Sequence, residues 1–329
     1  MPSLPLRRAL AFTATAAAVC ALSLTSATTA SAAIVPNPIS TSAEGAALAL
    51  TPLGTYESGT YDASAAEIVQ SYRDRLYVVN AQAGTVEVLD NRDPENPVSL
   101  FEIEAQGTAN SLAIRDDGLG AVAFENHDKT ANGSLVFFDA NADAPGVLGA
   151  VTVGALPDMV TISKDGAYAV VANEGEPADD FSSDPEGSIG VVKLPSTVAA
   201  PAQADVKIAG FGAFEAGGSK PLDPAVRVFG PDVAAPGQDL AATPLSANRV
   251  SRNLEPEYVA IDGTTAYVAL QEANVVAVVD IAKVVSGVHA PEVTSILPLG
   301  FKDHGLPGNG IDASDRDPRD APATNIATY

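Results

Sequence analysis

The apolar positions of this chain fall in short runs of alternating character, and the runs recur. An apolar strand is followed by a turn carrying Asp or Gly and a second strand rich in Tyr, Val and Ala. A polar loop and a third strand, usually ending in Asp, complete the pattern. The first copy reads Ala66-Glu67-Ile68-Val69, then Arg75 to Asn80, then Thr85 to Asp90. The second reads Ser111 to Ile114, Ala121 to Phe124 and Ser134 to Asp139. The third has Met159 to Ile162, Ala167 to Ala172 and Ser188 to Val192, and the fourth has Tyr258 to Ile261, Ala266 to Leu270 and Val275 to Asp280. Runs of this length, β-branched and bounded by turn residues, predict strands rather than helices. The Asp117-Gly118, Asp165-Gly166 and Asp262-Gly263 pairs suit tight hairpins, because glycine enters φ > 0 without steric cost.

Equivalent positions Glu67, Asn110, Asp158 and Glu257 are separated by 43, 48 and 99 residues. The first two intervals match the roughly 40–50 residues of one β-propeller blade, and the third holds either a long insertion or a degenerate blade. The expected fold is therefore all-β, a propeller of YVTN/WD40-like four-stranded blades with an irregular insertion at 195–256. That insertion is rich in Pro, Ala and Gly, and Ala213-Phe214-Glu215-Ala216 and Asp239-Leu240-Ala241-Ala242 in it carry helix formers. About 47 residues follow the fourth copy. Val293 to Leu297 reads as the start of one further blade, so four or five blades in an open arc are expected.

The N-terminus adds a destination. Arg7-Arg8, an apolar run from Ala9 to Leu24 and small residues ending in Ala30-Ser31-Ala32 have the order of a secretory signal peptide, cleaved after Ala32. The apolar run is shorter than the roughly 20 residues that span a bilayer, and no second such run follows, so no membrane span is expected. The organisation expected is a signal peptide (1–32), a linker (33–47) and one propeller domain (48–329), secreted to the extracellular space. The single cysteine, Cys20, lies in the leader. The mature chain therefore has no disulfide, thiolate metal site or cysteine nucleophile.

Charge narrows the partners. Lys and Arg number 18 against 41 Asp and Glu, a net −23 that becomes −25 once Arg7 and Arg8 are removed. Such a surface repels nucleic acid and anionic lipid and attracts cations. Acidic or amide residues recur at the strand ends: Asn80, Glu125, Glu174 and Glu272 in one set, Glu67, Asn110, Asp158 and Glu257 in another. Equivalent blade positions point toward one mouth of a propeller's central channel. Glu67, Glu125, Asp158, Glu174, Glu257 and Glu272 are thus candidate ligands for a hard cation such as calcium (Ca2+), which takes six to eight oxygens. The alternative is that each caps its own turn or meets water. The Asp179-Asp180 to Gly187 loop and the Asp312 to Asp317 run are separate acidic candidates, neither with EF-hand spacing. No Gly-x-Ser-x-Gly elbow or His-Glu-x-x-His pair occurs among the 329 residues, and the histidines are only His127, His289 and His304.

Longer blocks carry a family resemblance. They are Leu53-Gly54-Thr55-Tyr56-Glu57-Ser58-Gly59 with Ser64 to Val69, Tyr77 to Ala81, and Asn173-Glu174-Gly175-Glu176-Pro177 with Asp184 to Ser188. Val250 to Tyr258 and Leu306 to Asp317 complete the set. In this order and spacing the chain resembles the bacterial choice-of-anchor I proteins, from about residue 48 onward. The resemblance implies an extracellular propeller of seven-bladed type, similar to mesenchyme-specific cell-surface glycoproteins. With no catalytic motif visible, the expected function is a binding module, calcium-responsive by its acidic residues, facing an extracellular partner or surface. Some members carry an alkaline-phosphatase label, so a metal-dependent phosphoesterase working from the acidic channel mouth is the alternative. Such an enzyme would need a positive centre for the phosphoryl group, from metal or from Arg249, Arg252 or Arg316.

Overall fold

The computed structural model describes residues 45–48, 50, 52–59, 66–228, 249–287 and 289–310. The signal-peptide region, Asp239 to Ala242, Arg316 and the Asp312 to Asp317 run lie outside them. Among the described residues, sixteen strands form four antiparallel sheets, each a four-stranded meander in chain order. Blade I comprises β1 (Ala66–Tyr72), β2 (Arg75–Asn80), β3 (Thr85–Asp90) and β4 (Val98–Ile103). Blade II comprises β5 (Thr108–Ile114), β6 (Leu119–Glu125), β7 (Asn132–Asp139) and β8 (Val147–Ala155). Blade III comprises β9 (Pro157–Ile162), β10 (Tyr168–Asn173), β11 (Ser188–Lys193) and β12 (Val206–Gly210). Blade IV comprises β13 (Val259–Asp262), β14 (Thr265–Leu270), β15 (Val275–Asp280) and β16 (Glu292–Pro298). Two short helices, α1 (Arg249–Asn253) and α2 (Ala282–Val285), lie before β13 and after β15.

Two expectations change. Val293 to Leu297 does not open a further blade: it lies within β16, whose residues pair with β15 as the outer strand of blade IV. The first part of the expected insertion is likewise blade, because β12 pairs with β11 from Ser188↔Gly210 to Val192↔Val206. Beyond it, Gly212–Phe214 makes only a single 3-10 turn.

Burial explains how the blades stack. Period-two alternation sends the residues of one strand to opposite sheet faces. In β6, Val122 and Phe124 enter a core with Tyr77, Val79 and Val88 of blade I, while Leu119, Ala121 and Ala123 enter a core with Val160, Ala169 and Val171 of blade III. In β10 the same division sends Val170 and Ala172 toward Val268 and Val279 of blade IV. Hence β6 and β10 are buried on both faces at nearly every residue. In blade IV, by contrast, β14 and β15 alternate between buried and open positions, with Tyr267 43% exposed.

Four blades are thus joined by three hydrophobic cores, I–II, II–III and III–IV. A closed ring of four would need a fourth core between IV and I. The described blades form an open arc, with the innermost strands β1, β5, β9 and β13 side by side along its concave edge. The outer face of blade I is partly covered by the chain before it: Tyr56 donates a hydrogen bond to the buried Glu87 carboxylate. Burial, and then that carboxylate, push the Tyr56 phenol up to about 12.

Candidate functional site: an acidic mouth on the arc

Neighbouring inner strands are tied to each other at the end where the acidic residues sit. Asn110 in β5 donates through Nδ2 to the Pro157 carbonyl (3.2 Å), and the Val160 amide donates to Ser111 Oγ (3.3 Å). Together they fix the start of β9 against blade II. Leu156, buried and with φ of 45°, turns the chain into Pro157-Asp158. A left-handed conformation is uncommon for leucine and is held only where surrounding contacts determine it. On the other side of β9 the Val259 amide approaches Met159 Sδ at 3.4 Å, joining blade III to blade IV.

The loop after β10 carries Glu174 and Glu176. The Glu174 amide donates to the Leu156 carbonyl at 2.8 Å, placing Glu174 beside the start of β9. Gly175 follows with φ of +74°, and a Cβ there would come within 2.8 Å of the Glu186 carbonyl and the Gly187 nitrogen. Glycine is therefore required for this loop to fold back on 184–187. Gly187 in turn donates to the Ser251 carbonyl at 2.9 Å.

That contact brings in α1 and the segment after it. The Glu215 carboxylate accepts the Val250 and Ser251 amides at 3.2 and 2.7 Å, which caps the short helix and anchors the segment leading to Glu255 and Glu257. The Glu257 amide donates to the Ala269 carbonyl at 3.0 Å, so Glu257 enters β13 in a fixed position, only 8% exposed.

The electrostatics show that these carboxyls share one field. Asp158 is raised to about 6, first by burial and then by the charges of Glu67, Glu125 and Glu176. Glu174 is raised to about 8 by burial, Glu176, Asp158, Glu257 and Glu255. Glu255 is raised to about 7 by burial, Glu272, Glu176, Asp184 and Glu257. Glu257 is also raised to about 7, by burial and by Glu272, to which it is hydrogen-bonded. All six candidates therefore belong to one constellation drawn from four blades. Like charges that cannot move apart keep protons they would lose in water.

Two further members, Glu176 and Glu255, were not among the sequence candidates. Glu176 perturbs every carboxyl of the group that shifts, Glu255 is one of them, and Asp184 brings the 179–187 loop into the same mouth rather than a separate site. Their signal lay in the Asn173 to Pro177 and Val250 to Tyr258 blocks, where nothing recurs from blade to blade. One cation moderates the rim: Lys129 Nζ, from blade II, lies 3.0 Å from both Glu176 Oε2 and Asp179 Oδ1. Among the described residues, no three His, Asp or Glu side chains are gathered tightly enough to ligate an ion as they stand. Arg249 is turned toward the insertion, donating to the Val228 carbonyl at 3.4 Å, and His127 is exposed. Among the described residues no helix is long and apolar enough to cross a membrane.

Solved structures similar to this chain include a protein from Lactobacillus plantarum, 15% identical with a TM-score of 0.45, over 70% of this chain and 56% of that one. A functionally unknown protein from Desulfotomaculum acetoxidans is 16% identical with a TM-score of 0.43, over 68% of this chain and 56% of that one. The beta-propeller domain of a Myceliophteria thermophila protein is 10% identical with a TM-score of 0.39, over 70% of this chain and 58% of that one. This chain therefore spans less than two thirds of the length of each. No curated protein matches it. The choice-of-anchor I domain matches residues 67–328, most of the sequence and all four blades, and the chain belongs to the choice-of-anchor I domain family.

Proposed function

We propose that this protein is a secreted or cell-surface binding module whose acidic mouth takes up calcium and presents it to an extracellular partner or surface. The observation that carries this reading is the elevation of Asp158, Glu174, Glu255 and Glu257 to about 6–8, produced by burial and by mutual repulsion. A divalent cation at the mouth would relieve that repulsion, and an all-oxygen donor set suits a hard ion. The carboxyls stand close enough to repel one another without meeting at a common point. Side chains would therefore swing inward on binding, displacing protons and ordering the loops at 174–187 and 254–257. Membership of a surface-anchor domain family is in keeping with an extracellular location.

The test is thermal unfolding at pH 8 with and without calcium. At a free concentration of about 100 times Kd, a ligand of the folded state alone stabilises by about 2.7 kcal/mol. The melting temperature should then rise by roughly 5 °C or more. The Glu174→Gln, Glu257→Gln double variant should fold and lose the rise. An unchanged melting curve for the wild-type chain would contradict the reading.

A further inference from the structure

At the opposite end of the blades from the acidic mouth, the III–IV seam holds a cavity of about 580 Å³ lined by Lys193, Lys207, Asp205, His289, Val284 and Ala290. The strand register puts its two lysines together. Lys207 in β12 is paired with Val191 in β11, and Lys193 lies two residues further along β11, on the same sheet face. Diagonal neighbours of this kind have Cα atoms about 7–8 Å apart, a span that long side chains bridge onto one group. The far wall comes from blade IV, where α2 is held against blade III by the Tyr168 hydroxyl donating to the Val285 carbonyl at 3.1 Å.

This cavity holds two lysines outside any ion pair, whereas each of the other seam clefts holds one such cation among the described residues, Arg73 over the Tyr72 ring at the I–II seam and Lys164 at the II–III seam. In the cleft at the I–II seam, Arg75 is paired with Asp143 and Arg92 with Asp90. In the cleft at the II–III seam, Arg115 is paired with Asp117 and also donates to the Gly166, Pro195 and Thr197 carbonyls. Among the described residues neither Lys193 nor Lys207 forms an ion pair. Among the same residues Lys193 has no side-chain hydrogen bond, and Lys207 donates only to the Ala204 carbonyl, at 2.9 Å. The one carboxylate in the lining, Asp205, accepts the Ala202 amide. In a chain of net charge −23, two unpaired lysines against one carboxylate at one cavity form a local positive site. The acidic mouth is screened from it, since the Debye length is about 8 Å at physiological salt.

We propose that this seam cavity binds a small molecule bearing a phosphoryl or sulfuryl oxyanion, held by Lys193 and Lys207 with His289 at the rim. Its volume lies in the range of small-ligand pockets and exceeds what a bare oxyanion fills, so the group is carried on a body of about sugar size. Val284 and Ala290 supply the apolar wall against which that body rests. The site is independent of the calcium reading.

Isothermal titration of the folded chain in 0.15 M NaCl with inorganic phosphate, inorganic sulfate, glucose 6-phosphate and galactose 6-sulfate tests the proposal. Saturable one-site binding is expected for at least one sugar ester, tighter than for the corresponding inorganic ion. Hydrogen bonds to charged groups are worth enough that removing each lysine should weaken binding by about tenfold. Lys193→Gln and Lys207→Gln should each show that loss. Lys164→Gln, an exposed lysine at the II–III seam, should leave the affinity unchanged. Absence of saturable binding by every probe, or binding equally strong in the Lys193→Gln, Lys207→Gln double variant, would overturn the proposal.

Discussion

Replacing Gly187 with alanine should destabilise the protein and remove calcium binding together. The new Cβ would stand 2.1 Å from the Leu254 carbonyl oxygen, 2.7 Å from Pro256 Cδ and 2.9 Å from the Glu174 carbonyl oxygen. The first and last are backbone atoms, so no rotamer change relieves the clash. The chain at 254–256 must move away from the loop carrying Glu174, and the Gly187 to Ser251 hydrogen bond is lost with it. Forced shifts of packed backbone cost about 3 kcal/mol, a fall of roughly 6–12 °C in melting temperature. Because the same shift separates Glu174 from Glu255 and Glu257, calcium should no longer stabilise the variant. Gly212→Ala is the control, since a Cβ there meets nothing within 4 Å, and it should change stability by less than about 0.5 kcal/mol. Full calcium stabilisation in Gly187→Ala would show that the mouth does not depend on this junction.

The second large effect is on pH dependence. The folded-state values of Glu174 (about 8), Glu255 and Glu257 (about 7) and Asp158 (about 6) all lie above their ordinary values of 4.5 and 3.8. Between the ordinary and the raised values the folded state holds more protons than the unfolded chain, so stability falls as pH rises. Their contribution is fully present below about pH 4 and is lost progressively up to about pH 8. The carboxylates held low by cations act elsewhere. Asp90, beside Arg92, and Glu292, between Lys220 and Lys283, sit at about 2, and weaken the protein only as pH falls below about 4. Glu174→Gln should therefore match the wild-type chain at pH 4.5 and exceed it at pH 8 by about 1–2 kcal/mol. That figure is well below full conversion of the shift, because solvent reaching a half-buried carboxyl screens it. Urea unfolding at pH 4.5, 6.5 and 8 measures the difference. Curves for the two proteins that fall in parallel would show that Glu174 is not strained by its neighbours.

The arc was readable because its middle strands carry the strongest pattern. Middle strands such as Tyr168–Asn173 are packed on both faces and are dense in Val and Ala, and their hairpins are marked by Asp-Gly turns. Outer strands carry less information. In Val98–Ile103 and Val147–Ala155 most residues are exposed or half-buried, so apolar alternation weakens and the strand merges with its loop. For the same reason Val293–Leu297 read as the opening of a blade when it closes one. The acidic mouth divides in the same way. Glu67, Glu125, Asp158, Glu174, Glu257 and Glu272 sit at strand ends that recur, and recurrence is visible in sequence. Glu176, Glu255 and Glu215 belong to loops found in one blade only. Their roles follow from the turn at Gly175, the junction at Gly187 and the capping of α1, which are contacts between segments far apart in the chain.

Calcium uptake accompanied by proton release tests the central claim most directly, that carboxyls from successive blades form one cation-binding mouth. Calorimetric titration with calcium at pH 7, in buffers of different ionisation heat, counts the protons displaced. Glu174 should be mainly protonated at that pH and Glu255 and Glu257 about half so, hence binding should release on the order of one to two protons. The release should shrink in Glu174→Gln and fall to near zero at pH 9, where the group is already ionised. Calcium binding with no proton release at pH 7, or no binding at all, would contradict the account.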